Sequence, residues 1–454
     1  MAEIVLFPFM SKGHMIPIIH LAHLLINRGL PITIFTTPSN SPFIRQSLKN
    51  NVSKATIIDL PFPKHVPNLP SGVESTDQLP SMSLFLPFIN AVKLLRPHFE
   101  QALESLPRVS FIISDGFLGW TQISASRLGI PWILFYGMNF FAMTISRVVL
   151  RDQPHAGHDN DEPFSIQCFP WIKLTRNDLS PPFNDPEPSG PLWDFIVETG
   201  QHASHSSGMI VNSFYELEPV YVDYWKKVFD TRIWCVGPLC LSVPRAETLS
   251  NTKWLQWLNK KLAMQRPVLY VAFGTQAEVL NEQLQEIAIG LDRSEVDFLW
   301  VVRSKEAELG DGFEERVAER GLVVREWVEQ VAVLEHESVR GFMSHCGWNS
   351  VLESIGASVP ILAWPMMAEQ HLNAKLVEEL GIGLRIEARN GKGCNGLVSS
   401  DDVEKMVREL MGGEKGCEAG KKMQEVGQAG RRAMEESGTS WRSLDLLLEE
   451  LKLA

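Results

Sequence analysis

Ten residues in the second half of the chain carry its densest chemistry: Gly341-Phe342-Met343-Ser344-His345-Cys346-Gly347-Trp348-Asn349-Ser350. An apolar run, a small polar turn and a helical pattern follow one another, so the spacing predicts a strand, a tight turn and a helix start. Such a turn gathers backbone N–H groups, a His and a Ser at a helix N-terminus, where a phosphate can sit. Upstream, Trp327 offers a flat indole; downstream, Glu353, Glu369 and Gln370 offer groups that bind hydroxyls. Binders for phosphate, a flat ring and hydroxyls in one stretch point to a nucleotide sugar.

A second constellation lies far upstream. His14 follows the apolar run 4–7, in Ser11-Lys12-Gly13-His14, and Asp115 ends the run 111–114. Both positions are carboxyl ends of expected strands. A neutral His there can take a proton from a hydroxyl, because its ordinary pKa lies near neutrality. An Asp on its far nitrogen would fix the tautomer and stabilise the imidazolium. Taken singly, each also has a plain structural reading, a helix-start His and an Asp N-cap. His20 and His23 are helical and are assigned no role.

Strands and helices must position these groups. Apolar runs at 4–7, 31–35, 56–60, 111–114, 132–136 and 209–212 read as buried strands, with a helical pattern at 17–28 closed by Gly29. After Gln265 the alternation resumes, with strands at 268–273, 298–302, 322–326, 339–343, 360–364 and 383–386 and a helix at 281–291. Trp327 is expected to begin a helix after the strand 322–326. This alternation argues for an α/β fold of two Rossmann-like domains, each with a parallel, doubly wound sheet. Ligands of such sheets bind beyond the carboxyl ends of the strands. Two domains facing across a cleft would then carry a donor on one lip and an acceptor on the other. The expected divisions are an acceptor-binding domain at 1–240, a linker at 241–252, a donor-binding domain at 253–435 and a terminal helix at 436–454.

The stretch 327–370 resembles the signature of plant secondary-product glycosyltransferases, the UDP-sugar-dependent family 1 enzymes. It spans 44 residues, as that signature does. The His345-to-Ser350 core, Glu353 three residues later, the Trp364-Pro365 pair and the closing Glu369-Gln370 all match. The resemblance covers nearly the whole chain, although the N-terminal half matches only at a few points. It implies a GT-B fold, in which the last helix crosses back to the N-terminal domain. By resemblance Trp327 stacks on uracil, Val328 belongs to the UDP site and Gln330 lies near base and ribose. Glu353 accepts the ribose hydroxyls, while Thr275, His345, Gly347, Asn349 and Ser350 hold the diphosphate. Trp348, Glu369 and Gln370 contact the sugar, and a final Gln goes with glucose donors. His14 matches the family's catalytic base and Asp115 its partner, and the implied displacement inverts the anomer. Arg340 and Ser358 stand where Gly is usual, and Met366-Met367 where Leu and an aromatic are common; Gly137 and Met138 replace hydroxyl residues.

The acceptor pocket is drawn from Phe9, Met10, Leu84, Phe85, Phe88, Phe117, Leu118, Phe140 and Phe141, an apolar and aromatic set that suits a flat phenol. The Asp159-Asn160-Asp161 run, with His155 and His158, looks metal-like but lies in a polar stretch (152–161) read as a surface loop. No cofactor and no metal is expected. Lys+Arg 42 against Asp+Glu 54 gives a net charge of −12, the wrong balance for a nucleic-acid binder. Six cysteines without a CxxC pair read as reduced thiols, Cys346 as a packed one. The N-terminus lacks a basic region and a cleavage site, and no apolar run approaches a membrane span. The expectation is a cytoplasmic, monomeric UDP-glucose-dependent glucosyltransferase of small phenolic, flavonoid-like acceptors. C-glycosylation of a polyphenol, a non-catalytic UDP-sugar-binding protein and a nucleotide-sugar epimerase or hydrolase are the alternatives.

Overall fold

The computed structural model describes residues 3–243, 252–276, 279–303, 307–386 and 396–452; most of the expected linker, 244–251, lies outside them. The chain groups into two units. The first gathers Met1–Phe140, Glu187–Val243 and Arg432–Ala454, and the second Phe141–Pro186 and Pro244–Arg431.

The first unit is built on seven parallel strands. Edge to edge they run Ala55–Asp59, Ile32–Thr36, Glu3–Phe7, Val109–Asp115, Trp132–Tyr136, Gly208–Val211 and Ile233–Cys235. Alternate residues of the central strand serve opposite faces. Ile4 and Leu6 join a core with Ile34, Ile113, Ile210 and the terminal-helix residues Leu444, Leu447, Leu448 and Leu451. Phe7 packs instead on the rings of Phe35, Phe99 and Trp120. That terminal helix, Thr439–Lys452, is further held by Asp445, which accepts from Arg28 at 2.6 Å. The first helix, Lys12–Asn27, starts five residues before the expected Pro17, which lies inside it. Proline suits a first helical turn, which is why its position was misleading.

The second unit repeats the architecture with six parallel strands, in the order Gly321–Val324, Asp297–Val301, Val268–Ala272, Val339–Ser344, Ile361–Ala363 and Gly383–Arg385. Its central strand again serves two cores: Leu269 and Val271 on one face, Val268, Tyr270 and Ala272 on the other. The segment Phe141–Pro186 groups here and not with the rest of the expected 1–240 domain. One reason is an ion pair between Asp178 and Arg385 at 2.7 Å. The segment holds an antiparallel hairpin, Phe164–Ile166 with Phe169–Leu174, that sequence patterning does not reveal. His155 is buried against the Phe164 ring, so the polar stretch 152–161 is not wholly a surface loop. Among the described residues no helix is long and apolar enough to cross a membrane.

Candidate active site

Each sheet has a switch point, where the strand order reverses direction and a crevice opens at the carboxyl ends. In the first unit it lies between Glu3–Phe7 and Val109–Asp115. His14 stands in the first turn of the helix that follows the former strand, and Asp115 is the last residue of the latter. His14 Nδ1 lies 2.8 Å from Asp115 Oδ2, and Asp115 Oδ1 accepts the Phe117 N–H at 2.9 Å. A carboxylate only accepts, so Nδ1 carries a proton, and in the neutral ring Nε2 holds the lone pair. The Asp115 side chain is 3% exposed and that of His14 30%. The orienting group is thus sealed while the imidazole stays reachable.

Aromatic rings surround that imidazole. Phe9 lies 5.3 Å and Phe117 4.9 Å from it, centroid to centroid. Phe85 meets Phe117 edge-on at 5.9 Å, and Phe195 meets both, at 5.4 Å to Phe117 and 6.1 Å to Phe85. Phe195 comes from helix Pro191–Ala203 and carries no local sequence signal of this role. Of the expected acceptor residues, Leu84, Phe85 and Phe117 are half-buried. Phe9, Met10, Phe88, Leu118, Phe140 and Phe141 are buried. Phe9 and Phe88 back the ring cluster. Phe140 packs on Trp225, with ring centroids 6.3 Å apart, and Phe141 begins the segment that groups with the second unit.

The second unit's switch point lies between Val268–Ala272 and Val339–Ser344. Gly274 and Thr275 follow the first of these strands, and His345-Cys346-Gly347 leads from the second into helix Trp348–Ala357. Gly274 has φ +79, a left-handed conformation that favours glycine. A Cβ on Gly274 or on Gly347 would lie 2.6 Å from His345 Nε2. Both glycines are therefore needed for the imidazole to fit. Burial lowers the His345 pKa to about 4, with the charge of Arg303 adding to the effect. His345 is thus neutral near pH 7, and its buried Nδ1 finds no hydrogen-bond partner among the described residues. A buried polar atom without a partner beside a helix N-terminus is suited to an anion's oxygen. Burial pushes the Cys346 thiol up to about 12, which fits a packed residue and not a nucleophile.

A polar network joins Gln330, Ser350, Glu353 and Tyr270. Gln330 Nε2 donates to Ser350 Oγ at 2.8 Å and to Glu353 Oε2 at 2.7 Å, and Tyr270 Oη reaches Gln330 Oε1 at 3.4 Å. Burial raises the Glu353 pKa to about 7, against the Gln330 hydrogen bond, which lowers it. Trp327 does not begin a helix. It lies in the loop between strand Gly321–Val324 and helix Gln330–Leu334, 53% exposed, with the Arg303 guanidinium 4.9 Å from its ring. Val328 beside it is buried, and Asn349 is half-buried in the first turn of its helix. Trp348 is only 2% exposed. Gln370 Oε1 accepts the N–H groups of Met366 and Met367 at 3.0 and 3.1 Å, shaping its own turn. Glu369 precedes it as the helix N-cap. Among the described residues no three His, Cys, Asp or Glu side chains gather as a metal site.

A family model described as "UDP-glucoronosyl and UDP-glucosyl transferase" matches residues 252–419. The chain is 46% identical to UDP-glycosyltransferase 90A1 of Arabidopsis thaliana, over 99% of this chain and 96% of that one. This protein belongs to the UDP-glycosyltransferases. It is also 36% identical to UDP-glucose flavonoid 3-O-glucosyltransferase 7 of Fragaria ananassa, again over 99% of this chain and 96% of that one. The crystal structure of Glycyrrhiza uralensis UGT73P12, complexed with glycyrrhetinic acid 3-O-monoglucuronide, superposes with a TM-score of 0.90 at 31% identity, covering 99% of this chain and 96% of that one. The fold class is therefore GT-B, and the enzyme transfers a glycosyl group from a UDP-sugar.

The family frame also gives a physical account of two unusual residues of this glycosyltransferase. Ser358 has φ +59 at the end of helix Trp348–Ala357, where glycine would be unstrained. Arg431 reaches the Gly356 carbonyl at 2.7 Å and Ser358 Oγ at 3.3 Å, which holds that turn. Arg340 is an exposed residue of its strand and meets solvent.

Proposed function

We propose that this glycosyltransferase is an inverting, UDP-glucose-dependent enzyme that forms β-glucosides of small phenolic acceptors, with His14 as general base. The observation that carries the reading is the His14–Asp115 pair set among aromatic rings. His14 Nε2 takes the proton of the acceptor hydroxyl as its oxygen attacks C1 of the sugar. The C1–O bond to the diphosphate breaks, and its electron pair leaves with UDP. Attack from the face opposite UDP turns an α-linked donor into a β-glucoside. Asp115 stabilises the imidazolium that forms. Charge growing on UDP meets the helix N-terminus at Trp348 and the neutral His345, fixed dipoles that need no reorganisation.

Trp327 and Val328 receive uracil, Gln330 and Glu353 the ribose, and Thr275, Gly347, Asn349 and Ser350 the diphosphate. Trp348, Glu369 and Gln370 hold the hexose. No metal takes part, so chelators leave turnover unchanged. The name of the Fragaria relative, with its UDP-glucose donor and flavonoid acceptor, supports the donor and acceptor class. We infer a monomer acting in the cytoplasm. Incubation with UDP-glucose and a panel of phenols, with products read by NMR, tests acceptor, attacked atom and anomer together. An α-glucoside product overturns the single-displacement mechanism, and UDP release without any glucoside overturns the transferase chemistry proposed here.

A further inference from the structure

The turn that ends in Glu369 and Gln370 is backbone-strained and is held from outside the 327–370 stretch. Ala368 sits at φ +52, a conformation costly for a residue with a Cβ. Its carbonyl accepts a hydrogen bond from Ser180 Oγ, 188 residues away in sequence. Ser180 follows a short turn, Arg176–Asp178, that is itself closed tightly. Asp178 Oδ2 accepts from Thr175 N at 2.8 Å and from Thr175 Oγ1 at 3.0 Å. Asp178 Oδ1 accepts from Arg385 Nη1 at 2.7 Å. Arg385 ends strand Gly383–Arg385, which pairs with Ile361–Ala363, and Ala363 leads directly into the loop that carries Ala368. Asp178 and Leu179 are both buried. The turn at 175–180 is thus bolted to the sheet edge through Asp178 and reaches the strained loop through Ser180.

We propose that residues 175–180 are a positioning element for hexose recognition, with Ser180 setting the placement of Glu369 and Gln370; this rests on those two residues holding the sugar. Hexose epimers differ only in the direction of one hydroxyl, so discrimination depends on donors and acceptors fixed to a fraction of an ångström. Gln370 makes the requirement sharper. Its Oε1 is used by the N–H groups of Met366 and Met367, so the amide plane turns with the loop backbone. Among the described residues the Ser180 hydroxyl bonds the Ala368 carbonyl and none of the side chains assigned to the nucleotide. Its effect should therefore appear in the sugar alone.

The test compares Ser180→Ala and Ser180→Thr with the parent enzyme, beside Glu369→Ala as a control on the sugar residues. Ser180→Ala should raise KM for UDP-glucose about two- to tenfold, the scale of one neutral hydrogen bond. It should also narrow the preference in kcat/KM for UDP-glucose over UDP-galactose, while the affinity for UDP measured by calorimetry stays unchanged. Ser180→Thr, which keeps the hydroxyl, should restore both values. Unchanged KM and donor preference in Ser180→Ala, alongside a raised KM in Glu369→Ala, overturns the proposal and leaves the sugar reading intact. A loss of UDP affinity equal to the loss for UDP-glucose also overturns it, because that marks a general structural role. If Glu369→Ala changes neither KM nor preference, the sugar reading itself fails.

Discussion

Two histidines occupy the same architectural address in the two units, and their neighbours give them opposite characters. His14 and His345 each follow a strand at the switch point of a parallel sheet. Behind His14 stands a sealed carboxylate, Asp115, at 2.8 Å. Beside His345 two glycines make room for the ring, and burial, with Arg303 nearby, lowers its pKa to about 4. The first imidazole has a carboxylate within hydrogen-bond reach, as the proposed general base requires, and the second is held neutral. The fold supplies the crevice twice, and the surroundings of the two imidazoles differ by one carboxylate 2.8 Å from His14.

The comparison breaks most sharply at His14. His14→Ala should lower kcat by about 10²- to 10⁴-fold, the range for losing a general base, while UDP affinity by calorimetry stays at the parent value. His345→Ala should show the reverse emphasis, weakening UDP first. Equal effects of both substitutions on UDP affinity would remove the distinction between the two sites. Because His345 titrates near 4, changing pH between 6 and 8 should not alter its part in donor binding.

Trp327 gives the next largest effect. It is 53% exposed, so its replacement removes little packing. Base stacking is worth about 1–3 kcal/mol, and Trp327→Ala should weaken UDP by roughly 5- to 150-fold with little change in melting temperature. A variant that melts early but binds UDP normally would make the indole a packing residue after all.

Much of the 327–370 stretch was legible because distance along the chain there translates directly into distance in space. Helix Trp348–Ala357 follows its strand within three residues, so one helix orders Asn349, Ser350 and Glu353 and the turn leading into it carries His345. The strand Trp132–Tyr136 coincides with the run expected at 132–136, since its apolar run is bounded on both sides. The rest depended on pairings with no local period. Phe195 reaches the His14 rings from a helix whose own pattern says nothing of them. Strand Ile233–Cys235 is only three residues long, too short to show alternation. The segment Phe141–Pro186 joins the second unit through contacts such as Asp178 with Arg385, 207 residues apart.

Glu353 sharpens the comparison through pH. Its folded pKa, about 7, lies above the unfolded reference of 4.5 because burial disfavours the charge. The stability this contributes is fully present below 4.5 and is lost as pH rises through about 7. Binding should run the other way, since the ionised carboxylate is the better acceptor for two ribose hydroxyls. Between pH 6 and 8 the affinity for UDP should rise more in the parent than in Glu353→Gln, by up to about tenfold. UDP's own titration cancels in that difference. Parallel pH profiles for the two proteins would show that Glu353 does not meet the ribose as a carboxylate.

The smallest expected effect tests the first unit's side of the contrast. Phe195 touches Phe117 and Phe85 edge-on, and Phe117 lies 4.9 Å from His14. An edge-to-face pair is worth about 0.5–1.5 kcal/mol beyond its buried area. Phe195→Leu keeps most of the apolar volume while removing those ring contacts, so the fold should survive with a small loss of stability. The apparent KM for a phenolic acceptor should rise by about two- to tenfold, and UDP affinity should stay constant. The effect should also depend on acceptor shape, larger for a flat polycyclic phenol than for a single ring, because a wall of rings discriminates by contact area. If KM for every acceptor is unchanged, the aromatic cluster serves only to pack beneath His14. The acceptor would then be held by residues other than these rings, and the contrast between the two units would rest on the Asp115 carboxylate alone.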